Sequence, residues 1–588
     1  MRPLTLREAL AIACLAGRAP LALQLGFVLA QGLLPLLGLF AMQWLVDAVA
    51  DGLAGRAAGA AAMSRVTGAV VLAAAVALVG NLLRSAATFA GEVHGRRLAD
   101  AGSARLQEHA ARLDLAEYDR AAFHDLLLRA GNEAGVRPVR LVQDLAAFGT
   151  ALVSLAAMGT VLARVEPWLP LLVGAAAAPI AWARTRHARL RFAWQEAHTG
   201  EQRDVGYLGA VLTGRATAKD VRALRLEATF GGRLEALRAV LRRSLARLAA
   251  GRARDELLVH TLASLGLFGA YLYLGHTALA GGMTIGGLVL HAQAVQRAQN
   301  GVRDGLGAVA AIREDRLFLA PFAALLARAP AIVALPPALE PPAGALAIAA
   351  RAVGFAYPDT DCSVLHELAF ELAPGERVAF VGANGSGKST LVKLLCRLYD
   401  PTTGALHAAG TDLRHFEPRR WRERVAVLLQ DQNAFELSLR DNLRLGHAHA
   451  VDDDTLWRAL EVAGLAERVR ALPAALDTPL SRRQRGGVEL SGGELRRLVL
   501  ARALAQPAGL LLLDEPFALL DGIGAEALAR ELANRSREQT VVVVDHRVAA
   551  VRWVDRAFVL AGGRVLASGA PAVLARDEPR FAELFPDW

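Results

Sequence analysis

The sequence contains too few cysteines for a disulfide-stabilised or zinc-stabilised protein. Only three of its 588 residues are cysteine, and Cys14, Cys362 and Cys396 stand far apart, without CxxC or CxxH spacing. Neither a disulfide framework nor a structural zinc site is therefore indicated, and a reducing compartment fits. No cleavable signal peptide is visible. Residues 1–19 instead predict an amphipathic elbow in which arginines bracket a short apolar run.

Lysine is nearly absent, although the chain is basic. Of 66 basic residues only Lys219, Lys388 and Lys393 are lysines, and the formal net charge is +9. A basic chain could bind nucleic acid, an anionic membrane surface or neither, and the positions of the arginines decide among these. Where a lysine does occur among so many arginines, a compact ammonium rather than a planar guanidinium is indicated.

Charge is also scarce, at 21% of residues, whereas hydrophobic residues make up 54% and mean hydropathy is +0.31. These values exclude a disordered scaffold, a collagen and a coiled-coil rod. Residues 1–315 contain six long, weakly charged stretches, each close to the roughly 20 residues that a spanning helix needs. The six predicted spans are 20–46, 66–90, 141–163, 167–183, 257–280 and 283–310.

The arginines are concentrated in two of the connections between these spans. Residues 93–140 carry eight arginines, and residues 184–256 carry fifteen arginines together with Lys219. Because positive charge marks the cytoplasmic side, both termini and both long loops are predicted to be cytoplasmic. Leucines recur at near-helical spacing in both loops, so the membrane helices are expected to continue as long cytoplasmic extensions.

The composition changes after residue 315, which divides the chain into domains. Residues 316–344 end in the proline-rich run PAIVALPPALEPPA, which is typical of a linker. From residue 345 to 588, short β-type runs alternate with helical patterns, as in α/β nucleotide-binding domains. The transmembrane domain is therefore predicted at 20–315.

A phosphate-binding loop is indicated in the second domain. Gly382-Ala-Asn-Gly-Ser-Gly-Lys-Ser-Thr390 matches GxxxxGK[ST], follows the strand-like RVAFV and opens a helical segment. Glycines let backbone N–H groups approach phosphates, Lys388 would bind the β- and γ-phosphates, and Ser389 would bind Mg²⁺. The predicted nucleotide contacts are Gly382, Asn384, Gly385, Ser386, Gly387, Lys388, Ser389 and Thr390.

Two adjacent acids follow a second apolar strand. In LLLLDE, Asp514 would hold Mg²⁺ through its water shell, and Glu515 would act as the general base toward the attacking water. A strand end with two solvated acids is the alternative. The phosphate-binding loop about 130 residues upstream favours the catalytic interpretation.

A third motif makes the combination specific. Ser491-Gly-Gly-Glu494 precedes the helical LRRLVLARAL. With the two preceding motifs, the chain resembles ATP-binding cassette (ABC) exporters in which a transmembrane and a nucleotide-binding domain are fused. LSGGE departs mildly from the usual LSGGQ, but Ser491, Gly492 and Gly493, which face the phosphate in the family, remain. The resemblance implies a multi-domain membrane protein, with a six-helix all-α domain followed by an α/β P-loop ATPase.

The resemblance gives roles to four further residues. Tyr357 resembles the aromatic on which adenine stacks, with a core strand aromatic as the alternative. Gln430 resembles the residue that senses Mg²⁺ and the membrane domain. His546 resembles the histidine at the γ-phosphate. Asp521 resembles the acid that links two ATP sites, although its Phe-Ala-Leu lead-in is unusual.

In this family one chain's signature completes the other chain's ATP site, so two chains are implied. Because all catalytic positions are intact, a homodimer is the simplest interpretation, and a heterodimer stays open. The predicted cofactors are ATP and Mg²⁺. The predicted surroundings are the lipid bilayer of the bacterial cytoplasmic (inner) membrane, and no nucleic acid is expected as a partner.

Coupling and transport are assigned to the helical domain. The segments Tyr118–Phe123 and Thr217–Arg222 resemble coupling helices that dock near Gln430, with solvated loop faces as the alternative. One face of the sixth span, predicted to line the pathway, carries Gln293, Gln296, Asn300, Arg303 and Asp304. If the lower part of this span already lies in the cytoplasm, its polar side chains do not indicate a transport pathway.

The predicted function is ATP-driven export of an amphipathic peptide or drug-like substrate by alternating access. A lipid or lipid-linked glycan flippase of the same fold is the alternative, and an ATP-gated channel or regulator is less favoured because Glu515 and His546 are intact. A soluble nucleic-acid ATPase is rejected because six spans and the loop placement of arginine do not fit it.

Overall fold

The computed structural model describes residues 17–56, 59–215, 217–360, 362–446, 451–481, 484–534, 537–586 and 588. The predicted elbow, including Cys14, lies almost wholly outside them. The described residues form two compact units. One contains those of Met1–Ala111 and Asp125–Arg328, and the other those of Arg112–His124 and Ala329–Trp588. An all-helical part followed by an α/β part is the architecture that the sequence predicts.

The N-terminal part of the chain is helical throughout. The helices are α1 Arg18–Leu53, α2 Gly59–Arg112, α3 Leu115–Tyr118, α4 Ala121–Ala134, α5 Arg137–Ala163, α6 Leu169–Ala197, α7 Thr199–Thr213, α8 Ala218–Ala223, α9 Glu227–Leu279, α10 Ile285–Phe318 and α11 Ala320–Leu326. Helix α3 and the first residues of α4 belong to the second unit.

Four helices among the described residues are long and apolar enough to cross a membrane. They are Ala19–Leu53, Gly59–Arg112, Arg137–Ala163 and Glu227–Leu279. The other two predicted spans, 167–183 and 283–310, fall within α6 and α10 but are not among these four. The protein is thus multi-pass, while the number six remains a prediction.

Close packing in the helical unit depends on small residues. A Cβ at Gly286 would lie 2.5 Å from the backbone oxygen of Gln43, so α10 approaches α1 closely there. The Gly286 N–H also donates to the Asp47 carboxylate at 2.9 Å, which fixes the two helix ends together. Such small-residue contacts are typical of helix packing in membranes.

Much apolar surface of this unit stays uncovered within the chain. Leu257, Leu265 and Leu272 of α9 are 69%, 65% and 78% exposed. An apolar surface of this kind marks contact with a membrane or another protein. A lipid bilayer would cover an apolar stretch of roughly 20 residues within this helix.

The second unit contains two sheets and a set of shorter helices. The strands are β1 Ile348–Ala356, β2 Ser363–Leu372, β3 Arg377–Val381, β4 Thr403–Ala408, β5 Thr411–Asp412, β6 Val425–Leu428, β7 Leu510–Asp514, β8 Thr540–Val544, β9 Arg556–Ala561 and β10 Arg564–Gly569. Its helices are α12 Lys388–Leu395, α13 Pro418–Arg422, α14 Leu439–Arg444, α15 Asp453–Val462, α16 Ala466–Arg470, α17 Gly492–Ala505, α18 Gly522–Asn534, α19 Val548–Val551, α20 Pro571–Asp577 and α21 Pro579–Leu584.

The larger sheet has the order β10-β9-β3-β8-β7-β6, and the smaller antiparallel sheet has the order β2-β1-β4-β5. Strands β9, β3, β8, β7 and β6 run parallel to one another, and β10 pairs with β9 in the antiparallel direction. The all-apolar runs of β3, β7 and β8 are buried along nearly their whole length, as parallel strands covered on both faces must be. This arrangement brings the carboxyl ends of four strands to one edge, where ligands bind in α/β sheets.

Candidate functional site

The predicted catalytic segments all follow strands of the larger sheet at this edge. The phosphate-binding loop follows β3, Gln430 follows β6, Asp514 and Glu515 end β7, and His546 follows β8. Because β3, β8, β7 and β6 are consecutive in the sheet, segments that are distant in sequence become neighbours.

At two positions in the loop after β3, the backbone conformation and the close contacts allow only glycine. Gly387 has φ +100°, and a Cβ there would lie 2.5 Å from the Leu365 side chain. A Cβ at Gly382 would lie 2.2 Å from the backbone oxygen of Leu560. Asn384 and Gly385 are exposed, while Ser386 and Lys388 are buried. The loop therefore presents its backbone outward and leads into the N-terminus of α12, a favourable site for anions.

The Lys388 ammonium closes over this loop. It donates to the backbone oxygens of Gly382 at 2.8 Å and Ala383 at 2.9 Å. Burial lowers the pKa of Lys388, and the charges of Asp514 and Glu515 partly oppose that effect. An ammonium hydrogen-bonded to loop carbonyls and near two acids is suited to binding phosphate oxygens.

Asp514 has the surroundings expected of a cation ligand. Its carboxyl group accepts a hydrogen bond from the Ser389 side chain, and burial raises its pKa to about 6, with Glu515 adding to the rise. Among the described residues, nothing hydrogen-bonds its buried Oδ1 atom. Since a buried carboxylate oxygen without a partner is costly, these residues fit Mg²⁺. The described part of the chain contains no cluster of three or more metal-ligating side chains, so water and phosphate would complete the coordination.

The raised pKa of Asp514 predicts a pH-dependent stability effect. The folded state holds this proton more tightly than the unfolded state, so its stabilising effect is lost as pH rises from about 4 through about 6. The ionised carboxylate then destabilises the nucleotide-free protein by about 1–3 kcal/mol. Asp514→Asn should therefore raise the melting temperature by several degrees at pH 8 and much less at pH 5, measured in EDTA without nucleotide.

Asp521→Asn is the matched control for this experiment. Asp521 is exposed, and Asn can equally accept the 2.8 Å hydrogen bond from the Gly524 N–H that caps α18. Its melting temperature should stay unchanged at both pH values. An equal shift for Asp514→Asn at pH 5 and pH 8 would contradict the proposed protonation.

Glu515 is held in an unusual backbone conformation at the end of β7. Its φ is +54°, in the left-handed region that side chains other than glycine seldom adopt. Its N–H donates to the Val544 oxygen at 2.7 Å, and its carboxylate accepts from the Gln430 amide at 3.3 Å. Outliers of this kind concentrate at functional sites, where the fold fixes one side-chain direction.

The backbone of His546 is positioned by Asp545, an acid that the sequence motifs did not identify. Asp545 is buried and accepts the backbone N–H groups of Phe517, His546 and Arg547 at 3.1, 2.7 and 3.0 Å. It thereby joins the loops after β7 and β8. The His546 side chain is 55% exposed. The signal available in the sequence was an acid directly after four valines.

The signature segment forms a capping box at the start of α17. The Glu494 carboxylate accepts from the Ser491 N–H at 2.7 Å, and the Ser491 hydroxyl accepts from the Glu494 N–H at 3.3 Å. Arg468 pairs with Glu494 at 3.2 Å and partly offsets its negative charge. The departure from LSGGQ is therefore structurally accommodated. A Cβ at Gly492 or Gly493 would meet nothing within 4 Å, so this face is open within the chain.

Tyr357 lies beside the phosphate-binding helix and is half-buried. Its hydroxyl lies 3.0 Å from that of Thr390, and its ring makes edge contacts with Phe355 and Tyr399. Tyr357 directly follows β1 and packs partly against the core, while stacking on adenine stays a prediction.

The helical unit contains a cavity of about 1000 Å³ between α1, α2, α5 and α10. Asn300 lines it, whereas Gln293 and Gln296 are not among its lining residues. Asp304, from the same predicted polar face, also lines it. Four charged side chains that the sequence analysis did not select line it as well, namely Arg84, Glu92, Asp144 and Arg297. The walls also include apolar side chains such as Phe27 and Val28.

Comparisons with known proteins agree with this geometry. Residues 365–518 match a family model described as ABC transporter. An ATP-dependent lipid A-core flippase of Thiobacillus denitrificans is 34% identical over 237 residues, or 40% of each chain. A multidrug resistance ABC transporter ATP-binding and permease protein of Lactococcus lactis subsp. cremoris is 32% identical over 236 residues, 40% of this chain and 39% of that one. The alignments thus span about 40% of these relatives.

The similarity of fold extends further than the similarity of sequence. A solved structure of a bacterial Atm1-family ABC exporter with ATP bound superposes with a TM-score of 0.80, covering 97% of this chain and 99% of that chain at 22% identity. Both the helical and the α/β parts therefore have the fold of a known exporter chain.

Proposed function

We propose that this chain, a fused half-transporter with an ABC transporter ATPase domain and an exporter fold, couples ATP hydrolysis to the export of an amphipathic substrate. The observation that supports this proposal most strongly is that one sheet edge brings together Lys388, Asp514, Glu515 and Gln430. The same chain encloses a cavity among its apolar helices.

The residues of the ATP site have separate roles in hydrolysis. Lys388 and the loop N–H groups bind the phosphate chain, and Tyr357 stacks on adenine. Asp514, Ser389 and Gln430 would hold Mg²⁺, which supplies charge neutralisation at the phosphates. Glu515 accepts the proton of the attacking water, and His546 orders that water at the γ-phosphate.

Two copies of the chain are required in this proposal. The open face of Ser491, Gly492 and Gly493 supports a site completed by a second copy. We propose a homodimer in the bacterial cytoplasmic membrane, with the termini and the arginine-rich loops on the cytoplasmic side. Closure of the two ATPase domains would then open the cavity outward, and hydrolysis would reset it.

The proposed substrate class follows from the side chains that line the cavity. Its walls combine apolar side chains with Arg84, Arg297, Glu92 and Asp304. An amphiphile that carries charge fits such a lining, and we favour a peptide or a drug-like molecule. A lipid flippase is the alternative, and one sequence relative is named as a flippase of lipid A-core.

Reconstitution into proteoliposomes tests this function. With ATP added on the side of the ATPase domain, a panel of fluorescent amphipathic peptides, amphiphilic dyes and phospholipids should contain at least one compound that moves. Movement should require ATP and should stop in Glu515→Gln. Movement confined to phospholipids would favour the flippase. Active hydrolysis with ionic current and no accumulated compound would favour the channel.

A further inference from the structure

The first cytoplasmic segment, Arg112–His124, folds with the ATPase domain rather than with the helices on either side of it. We name it the coupling segment. The Asp114 carboxylate accepts the backbone N–H groups of Ala331 at 2.6 Å and Ile332 at 3.2 Å. Ala116 packs against the core that contains β1 and α12. These contacts fix the segment against the nucleotide-binding half of the domain.

The Tyr399 side chain joins the coupling segment to the core of the ATPase domain. Tyr399 is only 4% exposed, and its hydroxyl donates to the Asp119 carboxylate at 2.5 Å. Burial, followed by Asp119, raises the pKa of Tyr399, so its hydroxyl remains a donor at physiological pH. A short hydrogen bond to a carboxylate is of the stronger, charge-assisted kind.

Tyr399 also packs against Tyr357, the residue proposed to stack on adenine. Its ring meets that of Tyr357 edge-on, with centroids 5.5 Å apart and planes at 85°. Tyr357 is in turn linked to the phosphate-binding helix through Thr390. A second link runs from Arg120 in the coupling segment to Asp359, two residues after Tyr357, at 3.7 Å.

On the basis of the proposed function, we propose that Tyr399 and Asp119 are a positioning pair that transmits occupancy of the adenine-stacking ring to the coupling segment. A base stacked on Tyr357 restricts its ring, and Tyr399 packs against that ring. The Tyr399 hydroxyl then fixes the coupling segment through Asp119. The response of this segment therefore depends on the base of the nucleotide as well as on its phosphates.

Hydrogen–deuterium exchange on the full-length chain tests this pair. In the hydrolysis-deficient Glu515→Gln background, Mg-ATP should slow exchange both in the phosphate-binding loop, residues 382–390, and in residues 112–124. Adding Tyr399→Phe removes only the hydroxyl. It should preserve the loop response and reduce the ATP-dependent protection of residues 112–124 about tenfold.

Two further variants test the hydrogen bond itself. Asp119→Asn retains an oxygen acceptor without the charge and should keep part of the response of residues 112–124, whereas Asp119→Ala should lose it. Mg-CTP, with a smaller base, should protect the loop while protecting residues 112–124 less than Mg-ATP does.

The outcomes separate this inference from the proposed function. Equal protection of residues 112–124 with and without the Tyr399 hydroxyl would overturn the positioning pair and leave ATP binding intact. A response in Asp119→Ala as large as in the parent would also overturn it. Absence of any loop response in the parent would refute the proposed ATP site, and the inference with it.

Discussion

Glu515→Gln is expected to lower the ATP turnover number by a factor of about 10² to 10⁴, the usual contribution of a positioned general base. Gln has nearly the same shape as Glu but cannot take a proton from water. The fold holds Glu515 at a positive φ, with its carboxylate 3.3 Å from the Gln430 amide, so the side chain's position should survive the change.

ATP binding should remain in this variant, because the phosphate-binding loop and Lys388 are untouched. Phosphate release and binding of a fluorescent ATP analogue, measured on the same preparation, check both expectations. Glu526→Gln, an exposed change in α18 of the same domain, should retain full turnover. Turnover within twofold of the parent in Glu515→Gln would show that another group accepts the proton.

Lys388→Met is expected to weaken ATP binding about 10- to 100-fold, the effect of losing charged hydrogen bonds to the phosphates. The change also leaves the backbone oxygens of Gly382 and Ala383 without the donor they now share. Lys388→Arg should restore little, because a planar guanidinium does not replace a compact ammonium within the loop.

Equilibrium binding of labelled ATP provides the measurement for Lys388. Lys219→Met is the matched control, since Lys219 is exposed and lies in the helical unit. It should bind ATP as the parent does. Unchanged affinity in Lys388→Met would mean that the ammonium does not reach the phosphates.

The segments predicted to bind ATP could be identified from sequence because they are short, contiguous motifs next to apolar strands. The strands that precede them are parallel and adjacent, so the fold brings Lys388, Asp514 and Glu515 to one sheet edge. Asp545 was not identified because its role is to accept backbone N–H groups from two loops, and no motif encodes such contacts. The Tyr399–Asp119 hydrogen bond was missed for a related reason, since its partners lie 280 residues apart.

The pathway residues show where helical periodicity stops being informative. Gln293, Gln296 and Asn300 lie on one face of α10, but the rotation of that helix is set by its neighbours. Gly301 and Gly305 pack against Leu155 and Ala151 of α5. In this orientation Asn300 and Arg297 line the cavity, and the two glutamines do not. Sequence periodicity identifies a polar face, whereas packing decides what that face meets.

Complementation between two inactive chains tests the shared ATP site most directly. Lys388→Met disables the phosphate-binding loop, and Ser491→Arg disables the signature. In a co-purified heterodimer of the two variants, one site would carry both defects and the other neither. We expect each variant alone to be inactive and the heterodimer to regain a substantial part of the ATPase activity. A heterodimer as inactive as its two components would contradict a site built from two chains.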